Sequence, residues 1–266
     1  MTRLDNPTLW RLTLRLGRDE LCYCLTPAAG GPQWHAGRLA LPPGNAPWLR
    51  RIEDAIYADE AAPLVDDFAR VDIIVDTPSI TIVPEPLAAD PQRRQQLLQA
   101  AVPQFTGDVE AAKLGQSEMA VVFGTEPGLL GFARRTWPNS RLHHPLSVLA
   151  RYMVAPDRHR LIAAMVTGNR IAVIAADGTL LHAANVFDFR HPDDAAFFIL
   201  SLLKLTGFDA ATAFIEIAGD TAPRQAIEER LRHFVQVVMP AIPPAELAAR
   251  GADAMNYPLD LMILSI

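Results

Sequence analysis

Residues 9 to 16 set apolar Leu9, Leu12, Leu14 and Leu16 against Arg11, Thr13 and Arg15. A period of two marks a half-buried strand, because successive side chains leave the backbone on opposite faces. Leu21 to Leu25 is its hairpin partner across Gly17-Arg18-Asp19, and Gly30-Gly31-Pro32 ends that strand before a third, Trp34 to Leu41. After Pro42 to Pro47 the apolar positions Trp48, Ile52, Ala55 and Ile56 change to helical spacing. Val71 to Val75 is again β-rich and is closed by Asp76-Thr77-Pro78. The pattern predicts three strands, a helix and a strand.

The same order returns in the second half. Leu161 to Val166 pairs with Ile171 to Ala175 across Thr167-Gly168-Asn169-Arg170. Asp177-Gly178 then supplies the positive φ angles of a tight hairpin before Leu180 to Phe187. Pro192-Asp193-Asp194 opens a helix, where exposed N–H groups favour carboxylates, and Gly207 ends it. Phe197, Phe198, Leu200, Leu202, Leu203 and Leu205 leave that helix almost no polar face, so burial on most sides is expected. Ala213 to Ala218 reads as a strand and Pro223 to Phe234 as a helix. The repeat divides the chain into units at 1–154 and 155–266, with the linker in Val154-Ala155-Pro156-Asp157.

Between these repeats the pattern is weaker. Ile80 to Pro84 is a further extended piece, near which the first sheet is expected to end. Residues 85–117 read as an insertion with a helix from Pro91 to Ala101 and no strand. Met119 to Phe123 and Arg141 to His143 are strand-like, and Pro127 to Arg135 and Pro145 to Tyr152 are helical. Pro240, Pro243 and Pro244 mark an irregular tail, and apolar Leu259 to Ile266 must dock, as strand or as helix.

Composition narrows the function classes. Of 266 residues, 50% are hydrophobic and 20% charged, a globular mixture. A net charge of -6 disfavours phosphate backbones, and the basic pairs Arg50-Arg51, Arg93-Arg94 and Arg134-Arg135 are scattered, so no nucleic-acid partner is expected. Met1 to Asn6 leads straight into the alternating segment without a leader-like apolar run, and the longest apolar helix, Ala195 to Leu205, falls short of a bilayer's width. A cytoplasmic protein with no membrane span is expected. Cys22 and Cys24 share one strand face without further ligands nearby, which reads as packed, reduced thiols.

No histidine forms a metal-ligand spacing, and no metal site is expected. Asp72 and Asp76 lie four apart on one strand face, a placement that could hold magnesium, although Asp76 also suits a cap on the Thr77-Pro78 turn. Phosphate-cradling and serine-nucleophile motifs are absent. Gly124-Thr125-Glu126-Pro127-Gly128 lacks a following lysine and reads as an ordinary strand-to-helix loop.

Asp76-Thr77-Pro78-Ser79-Ile80-Thr81-Ile82-Val83-Pro84, the run from Phe187-Asp188-Phe189-Arg190-His191-Pro192-Asp193-Asp194 into Phe197-Phe198-Ile199-Leu200, and Ile217-Ala218-Gly219-Asp220 carry a resemblance over nearly the whole chain. The chain resembles a bacterial domain family of unknown function within the actin-like ATPase superfamily, which includes sugar kinases, heat-shock chaperones, actin and pilus assembly scaffold proteins. The resemblance implies duplicated ribonuclease H-like subdomains, each a mixed five-stranded sheet with helices. In active members the first hairpin of each unit carries an aspartate that places magnesium and phosphates, and paired glycines hold the adenosine. Here Leu14-Arg15-Leu16-Gly17-Arg18-Asp19 and Met165-Val166-Thr167-Gly168-Asn169-Arg170 have no strand carboxylate, and only Gly219, with Asp220, matches the adenosine glycines. The resemblance therefore implies a degenerate, non-catalytic scaffold that binds another protein, with homo-oligomers a further option. Residual nucleotide affinity is placed near Gly168, Gly219 and Asp220. The alternative is a kinase or ATPase using ATP with magnesium on Asp72 or Asp76.

Overall fold

Strands β1 (Trp10–Leu16), β2 (Glu20–Pro27) and β3 (His35–Ala40) form the expected meander, followed by helix α1 (Trp48–Ile56) and strand β4 (Arg70–Val75). They are seen in a computed structural model that describes residue 4 and residues 6–58 and 64–266. Met1 to Arg3 and Asp5, part of the stretch judged to carry no leader, lie outside the described residues. After the α1 crossover, β4 lies parallel to β1, with Leu12 opposite Val71 and Leu16 opposite Val75.

The first sheet does not end near Pro84. Strands β5 (Ile80–Pro84), β6 (Asp108–Lys113) and β7 (Met119–Thr125), with helix α2 (Pro91–Ala101), make a separate antiparallel sheet in the order β5-β7-β6. An alternating run looks the same whichever sheet receives it, so β5 could not be assigned from its pattern. The expectation of no strand in residues 85–117 is also corrected by β6. Its Asp-Val-Glu-Ala-Ala-Lys sequence alternates over only four residues and carries a single large apolar side chain, as suits an edge strand with neither face fully covered.

Helix α3 (Leu129–Thr136), strand β8 (Ser140–His143) and helix α4 (Pro145–Met153) follow, and β8 completes the sheet β3-β2-β1-β4-β8. Helix α3 starts two residues later than predicted, because Gly128, at φ 86°, precedes it in a left-handed turn.

The second unit repeats the topology with β9 (Leu161–Thr167), β10 (Arg170–Asp177), β11 (Leu180–Asp188), α5 (Pro192–Thr206), β12 (Phe214–Gly219), α6 (Thr221–Leu231) and β13 (Val237–Pro240). Its order is β11-β10-β9-β12-β13, with the first three strands antiparallel and the last two parallel to β9 or to each other. β13 was not anticipated, being only four residues and ending in proline. Burial of α5 on most sides is a second correction. Ala195, Ile199 and Leu202 face the sheet, while Phe197 and Leu205 are 65% and 76% exposed.

Alternation sorts each sheet into two packed faces. Leu12, Leu14, Leu16, Val71 and Ile73 join Leu161, Ala163 and Met165 of the second sheet in one continuous core, with α4 buried between them. Ile162, Ala164 and Val166 point the other way, onto α5 and α6. On the outer face of the first sheet, Cys22, Cys24 and Ile74 are covered by the C-terminal segment. That segment, α7 (Ala245–Ala248) and α8 (Leu259–Leu264), was grouped with the second half by the sequence repeat and returns to pack on the first. The apolar tail docks as a helix, with Leu261 and Met262 fully buried.

Candidate functional site

A cleft of about 1360 Å³ opens between the two units. It is lined by the β1–β2 and β9–β10 turns, the loop after β4, the loop before α3 and the Gly219-Asp220 corner. Repetition explains the placement, since equivalent hairpin turns of two like sheets face each other across the interface.

A line of alternating charges crosses the cleft. Arg15, on the outer face of β1, donates from Nε to Asp260 of α8 at 3.0 and 2.8 Å, and from Nη2 to Asp76 Oδ2 at 2.9 Å. Arg170, at the start of β10, donates from Nη1 to Asp76 Oδ1 at 3.0 Å and from Nε to Asp188 at 2.7 Å. Asp76 thus spends each carboxylate oxygen on an arginine from a different unit. It does not cap the Thr77-Pro78 turn; there the Ser79 N–H donates to the Thr77 hydroxyl.

The electrostatics follow from burial. Desolvation opposes the charge on Arg15, but Asp260 and Asp76 outweigh it and hold its pKa above the ordinary value. Burial likewise opposes ionisation of Asp76, and the charges of Arg15 and Arg170 overcome this, keeping its pKa below the usual carboxylate range. Beside it lies His144, fully buried at the N-cap of α4. Its Nδ1 accepts from the Leu146 N–H at 3.1 Å, so Nε2 carries the proton and donates to the Thr77 carbonyl at 3.0 Å. Desolvation pushes its pKa down to about 4. A neutral imidazole therefore pins the loop that presents Asp76.

The other sequence candidates are placed as follows. Asp72 lies within β4, held by Arg70 at 2.8 Å and by His143 at 2.7 Å. Four extended residues separate it from Asp76 by roughly 13 Å, too far for one ion. Gly168, Gly219 and Asp220 do come together in the cleft, where the Gly168 N–H donates to Asp220 Oδ2 at 2.6 Å. Gly219 adopts φ +100°, and a Cβ there would stand 1.9 Å from the Val166 carbonyl oxygen. Close approach of β12 to β9 thus requires this glycine. The Gly124–Gly128 loop is closed by Asp108, whose Oδ2 accepts from the N–H groups of Gly128 and Leu130 at 3.0 and 3.1 Å.

Magnesium with ATP is the group that the fold implies, and the residues present do not fit it. A magnesium ion needs free carboxylate or water oxygens in octahedral array. Both Asp76 oxygens are occupied, and the amide of Gly168 is spent on Asp220. Among the described residues, no group of three or more His, Cys, Asp or Glu side chains is arranged to hold a metal. Arg15, Arg170, Asp188 and Asp260 were not candidates from sequence. Sequence offered little signal, because Arg15 alternates with leucines just as the half-buried Arg11 does on the same strand.

Solved structures carry the same architecture. A protein of unknown function with an actin-like ATPase fold from Bacteroides thetaiotaomicron superimposes with a TM-score of 0.79 at 15% identity, covering 94% of this chain and 98% of that one. A chain of the PilM–PilN type IV pilus biogenesis complex gives 0.51 at 11% identity, covering 97% and 98%. The fold is that of the actin-like ATPases. No curated protein matches the chain by sequence. Through residues 2–238, which match the family described as protein of unknown function (DUF3822), the chain belongs to that family.

Proposed function

We propose that this chain is a non-catalytic, actin-like scaffold of the bacterial cytoplasm that works by binding another protein. The observation that supports this best is the Arg15–Asp76–Arg170 bridge, which stands between the two hairpin turns where phosphoryl-transfer members of the superfamily are expected to set metal and phosphates. Two guanidinium groups there face Asp76, Asp188 and Asp260, which leaves the line one charge negative and unattractive to a nucleotide's phosphates. The similarity to a chain of the PilM–PilN complex adds a precedent for this body in a protein assembly.

Two measurements test the reading together. Purified protein with ATP and magnesium should show no turnover above background, and nucleotide affinity should be weak and indifferent to magnesium. The tagged chain, expressed in its native host, should co-purify with a partner that re-forms a stoichiometric complex from the isolated components. Steady turnover that disappears in Asp76→Asn would instead favour a magnesium-dependent kinase or ATPase. A chain that stays monomeric and alone at all concentrations would remove the scaffold.

A further inference from the structure

Helix α5 keeps one face open to solvent that its apolar sequence would otherwise bury. Asp193, Phe197, Leu200 and Lys204 recur at spacings of four, three and four residues, which sets them in one stripe along the helix. Phe197 and Lys204 are exposed and Leu200 is half-buried, while Leu205 stands exposed beside the stripe. None of these residues lines the cleft. Monomeric proteins rarely leave a contiguous apolar face of this kind uncovered.

The middle of this face is rigid, and its hydroxyl is already satisfied. Phe198 stacks on Phe187 of β11 with ring centroids 4.2 Å apart, and Phe197 meets the Phe198 ring edge-on at 6.0 Å. Phe197 is thus held as a preformed anchor, which lowers the entropic cost of binding. Ser201, next to the stripe, donates its hydroxyl to the Phe197 carbonyl at 2.7 Å and asks nothing of a partner. The charges stand at opposite ends. The Asp193 side chain in the first turn is 75% exposed although it meets Arg230, and Lys204 in the last turn has no ion-pair partner among the described residues.

We infer that α5 is a homodimer surface, on which a second copy of this chain lays its own α5 antiparallel across a two-fold axis. An isologous interface must be complementary to itself, and this stripe is. The axis passes midway between Asp193 and Lys204, at Phe198 and Ile199. Each Asp193 then lies opposite Lys204 of the second copy, and each Phe197 opposite Leu200 of the second copy. An acid and a base equally far from an apolar centre match a reversed copy of themselves, whereas an unrelated partner would require no such symmetry. The antiparallel order also sets the positive end of each helix dipole beside the negative end of the other. The dimer goes beyond the scaffold reading and does not rest on it.

Sedimentation of the full chain over a range of concentrations, with the folding of every variant verified by circular dichroism, tests this. The wild type should be a dimer at high concentration, and Phe197→Glu, at an exposed position, should weaken it about tenfold or more. Asp193→Lys and Lys204→Asp should each be monomeric alone, because each sets like charges against each other, and an equimolar mixture of the two should dimerise. On the unaltered protein a carbodiimide should join Lys204 to Asp193. These residues lie about 16 Å apart along one helix, so that zero-length link forms only between copies. A wild type that stays monomeric, a dimer indifferent to Phe197→Glu, or a mixture of folded variants that does not associate overturns the proposal. If Asp193→Lys, deprived of its Arg230 pair, does not fold, the cross-link decides alone, and its absence from the dimer overturns the proposal. A monomer that instead holds a different protein through Phe197 overturns it too, while leaving the scaffold reading in place.

Discussion

Arg15 and Asp260, separated by 245 positions in sequence, meet through two hydrogen bonds with side chains only 7% and 1% exposed. One belongs to the first strand and the other to the last helix, so this pair fastens the end of the chain over its beginning. An arginine on that sheet face under a covering helix must be neutralised in place, because leaving its charge buried and alone is strongly unfavourable.

Removing Asp260 therefore costs more than removing the pair. Asp260→Ala leaves Arg15 with Asp76 as its one partner and its buried Nε without an acceptor, and should destabilise the fold by about 3 kcal/mol, the lower end of the usual effect of breaking a buried ion pair. Arg15→Met combined with Asp260→Leu should recover much of that loss. Urea unfolding of both variants measures the difference, and equal losses would show that the pair acts through shape alone.

Acid sensitivity should begin at His144. Its folded pKa of about 4 lies below the ordinary 6.5, so between these values the unfolded chain takes up a proton that the folded chain refuses. The contribution is complete above about pH 6.5 and declines as pH falls toward 4, by about 3 kcal/mol in total. Asp76 and Asp72, whose pKa values are lowered, lose their contributions only further down, as pH falls through those lowered values. Stability measured from pH 7 to 4 should slope downward in the wild type, and His144→Asn should flatten that slope whatever its effect at pH 7.

Two glycines that look alike in sequence should respond differently. Gly219→Ala places a methyl against the Val166 carbonyl and should cost at least about 2 kcal/mol. Gly168 has φ +55° with open space around its Cβ position, so Gly168→Ala should cost about 1 kcal/mol from backbone strain alone. Comparing the denaturation midpoints of the two variants is decisive.

The thiols should be silent in the folded protein. Burial pushes the Cys22 thiol up to about 12, and Cys24, beneath α8, is raised as well. Neither should react with a disulfide reagent at pH 8 until denaturant is added. Truncation after Pro258, which removes α8, should make both reactive without denaturant.

The local patterns carried most of the elements because their causes are local. Alternation in Leu12–Leu16, the Asp177-Gly178 turn and the capped start of α5 each depend on neighbours a few residues away, and all appear where predicted. The doubled order of elements also implied the doubled topology. Assignment of β5 to a sheet, the strand character of β6 and the return of α8 to the first unit depend on which surfaces meet, and no periodicity encodes that. The same limit applies to the cleft. Residue types alone placed Asp76 as a turn cap or a metal ligand, whereas folding brings Arg15 from the first repeat and Arg170 from the second onto its two oxygens. Chain order supplied the charges, but only the docking of one repeated unit on the other set them within hydrogen-bonding distance, where burial makes each need its neighbour.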